Sequence, residues 1–154
     1  MSGSAQIKTT PVDFDEPSDV GWHPGPASII DSVRARVLIA DDDEVVRHRL
    51  AALIEGDPSL NLVAIATDAE EAIAMAAIYM PDIVILDWVM PGGGGPKAAS
   101  EISRRLEGSR IVGISAHNDL EASYDMIRSG AIGFLKKTST REEILQTLHH
   151  ALAW

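Results

Sequence analysis

Five short apolar runs, each followed by a stretch of helical periodicity, constrain this chain more than any other feature. They are Val37–Ala40, Leu62–Ala66, Ile83–Leu86, Ile111–Ile114 and Ala131–Leu135. β-Branched residues are frequent in them and polar residues do not alternate through them, which is the pattern of parallel strands covered on both faces. Helical stretches are expected at 44–56, 69–79, 96–107, 119–129 and 140–152. The first puts Val46, Leu50, Leu53 and Ile54 on one face, and the last does the same with Ile144, Leu145, Leu148 and Leu152. Asp68 suits the N-cap of the second helix, and Ser139 or Thr138 that of the last, with Glu142 or Glu143 in its first turn. Gly56, Gly108 and Gly130 stand where helices should stop.

Alternating elements with short connections predict an α/β fold, a (βα)5 doubly wound parallel five-stranded sheet with right-handed crossovers. The common order for five such strands is the flavodoxin-like 2-1-3-4-5, with ligands bound beyond the carboxyl ends of the strands. Residues 1–34 differ from the rest. They carry Pro11, Pro17, Pro24 and Pro26, the acids Asp13, Asp15, Glu16 and Asp19, and few large apolar side chains. This reads as an acidic, largely disordered or loosely packed extension, with Ile29, Ile30 and Val33 as one apolar turn against a domain at 35–154. The net charge of −10 argues against direct nucleic acid binding by this segment. No apolar run approaches the ~20 residues of a membrane span. The chain has no cysteine, which excludes disulfide and thiolate chemistry and fits a cytoplasmic location.

The chemistry is expected at the strand ends. The first strand runs into Asp41-Asp42-Asp43, the third into Asp87, the fourth into Ser115-Ala116 and the fifth into Lys136-Lys137. In a parallel sheet these ends share one edge. Clustered carboxylates repel, so protons or a cation must relieve them. Hard oxygen ligands without imidazole suit Mg²⁺. A carboxylate, a divalent ion, an ammonium and a hydroxyl are the parts needed to transfer a phosphoryl group to an aspartate.

The stretches VLIADDDE, PDIVILDWVMPGGGG, IVGISAH and GAIGFLKKTSTREEIL resemble, in order, the signature segments of two-component response-regulator receiver domains. The resemblance spans residues 35–154. It implies that Asp87 is the phosphoacceptor, that Asp42 ligates Mg²⁺ directly and that Asp41 supports it through water. It further implies the backbone carbonyl of Val89 as a third protein ligand, Ser115 as the switch hydroxyl, Lys137 as the site lysine and Phe134 as the aromatic switch position. Lys136 takes the lysine role if the alignment is off by one, because the strand period sends neighbours to opposite faces. Trp88 reads as a surface or loop aromatic near the site, and His117 as a modulator of dephosphorylation. Departures from the pattern are Thr138 where a proline often follows the lysine, Phe134 in place of tyrosine, the extra acid Asp43 (a helix cap), and the permissive Gly92–Gly95 run.

The implied partners are a cognate histidine kinase or phosphotransfer protein. A homodimer or target would meet the face of the fourth helix, fifth strand and fifth helix (α4–β5–α5, residues 119–152), repacked when Ser115 and Phe134 move. The GFLKKTSTREEIL ending is similar to receivers joined to LuxR-type helix-turn-helix or cyclic-di-nucleotide output domains.

Other readings fare worse. A flavin or nucleotide module needs a Gly/Ser/Thr-rich phosphate loop after the first strand, where this chain has Asp-Asp-Asp-Glu. An aspartyl phosphatase needs a general acid two residues past its nucleophile, and Val89 cannot move protons. The chain is therefore expected to catalyse only its own phosphorylation and dephosphorylation. A degenerate receiver acting as a phosphorylation-independent interaction module is the alternative. His149-His150 read as an exposed helix end favoured by the helix dipole.

Overall fold

A computed structural model describes residues 33–116 and 120–154. The compact unit is Ala35–Trp154. Its strands are β1 (Ala35–Ala40), β2 (Leu60–Ala66), β3 (Ile83–Asp87), β4 (Arg110–Ser115) and β5 (Ala131–Lys136). Its helices are α1 (Glu44–Glu55), α2 (Ala69–Tyr79), α3 (Gly94–Arg105), α4 (Leu120–Arg128) and α5 (Arg141–Leu152). The strands form one parallel sheet in the order β2-β1-β3-β4-β5, the expected 2-1-3-4-5.

Strand parity divides the core into two layers. Val37 and Ile39 of β1, Ile83 and Ile85 of β3, Val112 and Ile114 of β4 and Leu135 of β5 face Leu50, Leu53 and Ile54 of α1 and Ile144 and Leu148 of α5. The opposite parity, Leu38, Ala40, Val84, Leu86 and Ile111, packs against the alanines of α2 and α3 and Met126 of α4. The three inner strands are covered on both faces, as their continuous apolar runs require. The edge strands are less so: Leu62, Val63 and Ala64 of β2 and Ile132, Gly133 and Phe134 of β5 are only half-buried.

Helix ends follow capping chemistry. Asp43 caps α1 by accepting from the amides of Val45 and Val46, and Asp68 caps α2 through the Glu71 amide. The cap of α5 is Thr140, not Ser139 or Thr138. Its hydroxyl accepts from the Glu143 amide while the Glu143 carboxylate accepts from the Thr140 amide, a reciprocal pair; Thr138 has Arg141 three positions on, and the Ser139 hydroxyl instead accepts from the Lys136 amide. α3 begins at Gly94 rather than residue 96. Gly92, Gly93 and Gly94 carry the chain through positive φ, and Gly95 lies so close to β3 that a Cβ there would sit 2.3 Å from the Asp87 carbonyl oxygen. α2 ends at Met80 in the left-handed region, φ 49°, immediately before Pro81.

Candidate functional site

Each site residue hangs from the end of a ladder. The Asp41 amide bonds the Ala66 carbonyl, the Trp88 amide bonds that of Ile114, and the Lys137 amide bonds that of Ser115. Asp41 continues the parity of Val37 and Ile39, Asp87 that of Ile83 and Ile85, and Lys137 that of Leu135. All three therefore emerge on the α1/α5 side of the carboxyl edge. Lys136 has the other parity and is exposed. The lysine that reaches the acids is Lys137, whose Nζ lies 3.0 Å from Asp41 Oδ2 and 3.0 Å from Asp87 Oδ2.

These groups line a pocket of about 380 Å³ with Asp42, Asp43, Val89, Ser115 and Ala116. Asp41 is 0 % exposed and Asp87 3 %, so water solvates neither carboxyl group freely. Burial, then the charge of Asp41, push the Asp87 carboxyl up to about 7 against the pull of Lys137. For Lys137, burial opposes the ammonium, but hydrogen bonds and charges from Asp41 and Asp87 outweigh it and hold its pKa above the ordinary lysine value. Asp41 Oδ1 accepts from the Asp43 amide at 2.8 Å. Asp41 Oδ2 is buried and makes no hydrogen bond despite its ion pair with Lys137. Carboxylate oxygens of Asp41, Asp42 and Asp87 lie within 4.8 Å of one another. A hard all-oxygen set with one buried oxygen lacking a hydrogen bond fits a divalent cation such as Mg²⁺.

The remaining expected residues fall in or beside this pocket, with two differences. Ser115 is 2 % exposed at its wall. The Val89 amide lies 3.4 Å from Asp87 Oδ1, and its side chain is exposed at the rim. Phe134 is half-buried on the α2/α3/α4 layer, outside the pocket. Trp88 is in the loop beside the site, as expected, but half-buried rather than on the surface. One residue past Asp87, it turns to the opposite face and packs against that same layer. His117 lies outside the described residues.

Two arginines of α1 escaped the sequence reading. Arg47 donates to the Asp41 carbonyl at 2.9 Å. Arg49 donates to the carbonyls of Lys137, at 2.5 Å, and Ser139. The second contact spans 88 residues of chain, and no local spacing signals it.

The family model for the response regulator receiver domain matches residues 37–149. The transcriptional regulatory protein LiaR of Bacillus subtilis is 35 % identical over 116 residues, covering 75 % of this chain and 55 % of LiaR. The nitrate/nitrite response regulator NarL of Escherichia coli is 32 % identical over 119 residues, covering 77 % and 55 %. The chain thus spans about half the length of these curated relatives. Among solved structures, the receiver domain of NarL from Mycobacterium tuberculosis superposes with a TM-score of 0.73 at 32 % identity, covering 78 % of this chain and 97 % of that one. A LuxR-family two-component response regulator from Aurantimonas sp. gives 0.74 at 33 %, covering 78 % and 86 %. With the fold, the strand-end acids and these likenesses in agreement, the chain belongs to the response regulator receiver domain family.

Proposed function

We propose that Asp87 accepts a phosphoryl group from the phosphohistidine of a histidine kinase or phosphotransfer protein, and that this charge switches a partner surface. The observation that carries the reading is the convergence of Asp41, Asp87 and Lys137, with the ammonium 3.0 Å from each acid. An Asp87 carboxylate oxygen attacks phosphorus in line. The bond from phosphorus to the donor's histidine nitrogen breaks, and an acyl phosphate forms. Asp42, Asp87 and the Val89 carbonyl would hold Mg²⁺, with Asp41 in support. When bound, the ion supplies a divalent charge opposite the anionic phosphoryl oxygens. The Lys137 ammonium moves from its two carboxylates to a phosphoryl oxygen, and the Ser115 hydroxyl donates to another.

Drawing Ser115 toward the phosphate opens space that Phe134 enters. This biases the packing of α4, β5 and α5, where Leu120, Tyr124 and Ile127 stand exposed for a partner or a second copy. Hydrolysis of the acyl phosphate, modulated from His117, resets the switch, so the chain's own catalysis ends with its own turnover. Residues 35–154 form the signalling unit and residues 1–34 an acidic extension. Among the described residues no helix is long and apolar enough to cross a membrane. A titration with MgCl2, read by Trp88 fluorescence in a Trp22→Phe, Trp154→Phe background, tests the metal half of the reading. A saturable change that Asp42→Asn abolishes is expected. A flat titration, or one that Asp42→Asn leaves intact, counts against it.

A further inference from the structure

Lys137 lies one residue beyond the end of β5, in a turn, yet its ammonium must meet two carboxylates at once. A side chain of four methylenes delivers its charge reproducibly only if its backbone is held. One hold is the Lys137 amide on the Ser115 carbonyl at 2.7 Å. A second closes the turn, with the Ser139 amide on the Lys136 carbonyl at 3.0 Å and Ser139 Oγ accepting from the Lys136 amide at 3.2 Å. Neither restrains the Lys137 carbonyl. That carbonyl accepts from Arg49 Nη1 at 2.5 Å, while Arg49 Nη2 takes the Ser139 carbonyl two residues on. A guanidinium presents two parallel donors in one plane, so this fork fixes both the position and the tilt of the 137–139 turn.

The fork comes from α1, and that is what gives it meaning. α1 starts directly after the acids, capped by Asp43, and its Arg47 holds the Asp41 carbonyl at 2.9 Å. One helix thus ties the acid-bearing loop and the lysine-bearing loop to a single rigid body. We infer that Arg49 is a positioning residue for phosphoryl transfer, acting through Lys137 by clamping the carbonyls of residues 137 and 139. The inference rests on the proposed phosphorylation of Asp87. Arg49 touches neither the acids nor the place where phosphate would sit, so its removal acts on how the ammonium is presented and leaves the metal-holding carboxylates unchanged.

The test measures pseudo-first-order phosphorylation by acetyl phosphate with saturating Mg²⁺, together with Mg²⁺ affinity and thermal midpoint. The variants are Arg49→Met, Arg49→Lys, Lys137→Ala and the double Arg49→Met, Lys137→Ala. Arg49→Met keeps the aliphatic stem and should slow phosphorylation roughly tenfold, the effect of losing a charged hydrogen bond that orients a reacting group. Its Mg²⁺ affinity should stay within about twofold, because it leaves the carboxylates that set that affinity in place. Arg49→Lys keeps the charge but spans only one carbonyl, and should fall between. In the Lys137→Ala background, Arg49→Met should have no further effect, since the group it positions is gone. The inference is overturned if Arg49→Met leaves the wild-type rate intact, slows both backgrounds equally, or weakens Mg²⁺ binding in step with the rate. Full recovery in Arg49→Lys would assign the effect to charge and overturn the clamp as well. Failure of the underlying reading looks different: the wild type gains no phosphoryl group, or Lys137→Ala phosphorylates normally, and the inference falls with it.

Discussion

Replacing Asp87 by asparagine should stabilise the metal-free domain, and the gain should grow with pH. Asp87 is buried beside Asp41, and its carboxyl is pushed from the ordinary 3.8 up to about 7. Between those values the folded state holds a proton that the unfolded state has released. Stability therefore falls as pH rises from about 4 to about 7 and levels off above. Each pKa unit is worth about 1.4 kcal/mol, so the shift sets a ceiling of about 4 kcal/mol. The pocket opens to water and Lys137 sits against the carboxylate, and screening brings the expected cost to about 2 kcal/mol. Asparagine has nearly the same shape and no charge to desolvate. Urea unfolding of wild type and Asp87→Asn in EDTA, from pH 4.5 to 8.5, should give nearly coincident stabilities at the acid end. At pH 8 the variant should lead by about 2 kcal/mol, or about 6 °C in midpoint. Adding Mg²⁺ at pH 8 should narrow the gap by stabilising the wild type. Parallel stability–pH curves, or a wild type that is the more stable at pH 8, would refute the reasoning. The pull of Lys137 would then outweigh burial and the charge of Asp41.

Further outcomes follow from individual contacts. Thr140→Ala removes the hydroxyl that accepts from the Glu143 amide, leaving only the backbone half of the α5 capping box, and should cost about 1 kcal/mol in chemical unfolding, with little effect on Mg²⁺ affinity. Gly95→Ala would force a Cβ to within 2.3 Å of the Asp87 carbonyl oxygen. It should cost about 3 kcal/mol and lower the phosphorylation rate, because the strand end carrying Asp87 must shift to admit it. Asp57 is held below the ordinary carboxylate value, first by the Ser59 hydroxyl and also by His149. It contributes stability that is present above pH 3.8 and lost as pH falls through its lowered folded value. Ser59→Ala should therefore destabilise the domain at neutral pH and converge with wild type in strong acid, as read by thermal midpoint against pH.

The layers and the side-chain convergence were legible because they follow from strand patterning in a parallel sheet, whereas the strand order did not follow from the pattern and was expected only as the common solution for five such strands. Once Leu135 is assigned to the α1/α5 core, Lys137 must turn into the pocket and Lys136 must turn away. The same parity applied to Trp88 would have buried it, but the residue sits just past a strand end, where a surface position looked more natural. The start of α3 was hidden because glycines at 94 and 95 have poor helix propensity. Close packing of Gly95 on the Asp87 carbonyl, with its amide bonded to the Trp88 carbonyl at 2.9 Å, overrides that preference. The stop of α2 after Tyr79 was legible at the expected residue, but the left-handed conformation of its cap, Met80, was not, because such a methionine is uncommon and only Pro81 hints at it. Arg49 was invisible for a different reason. Its partners are backbone carbonyls, which carry no sequence signature, and they lie on the far side of the chain.

The central claim is that Asp87 takes a phosphoryl group, and intact mass measures it most directly. The protein is incubated with acetyl phosphate and Mg²⁺ beside Asp87→Asn, and a second sample is chelated with EDTA. The account predicts one added phosphoryl group on the wild type, labile to mild base as an acyl phosphate is, and none in the variant or the chelated sample. An unmodified wild type under conditions that modify another receiver domain, or equal labelling of Asp87→Asn, would contradict it.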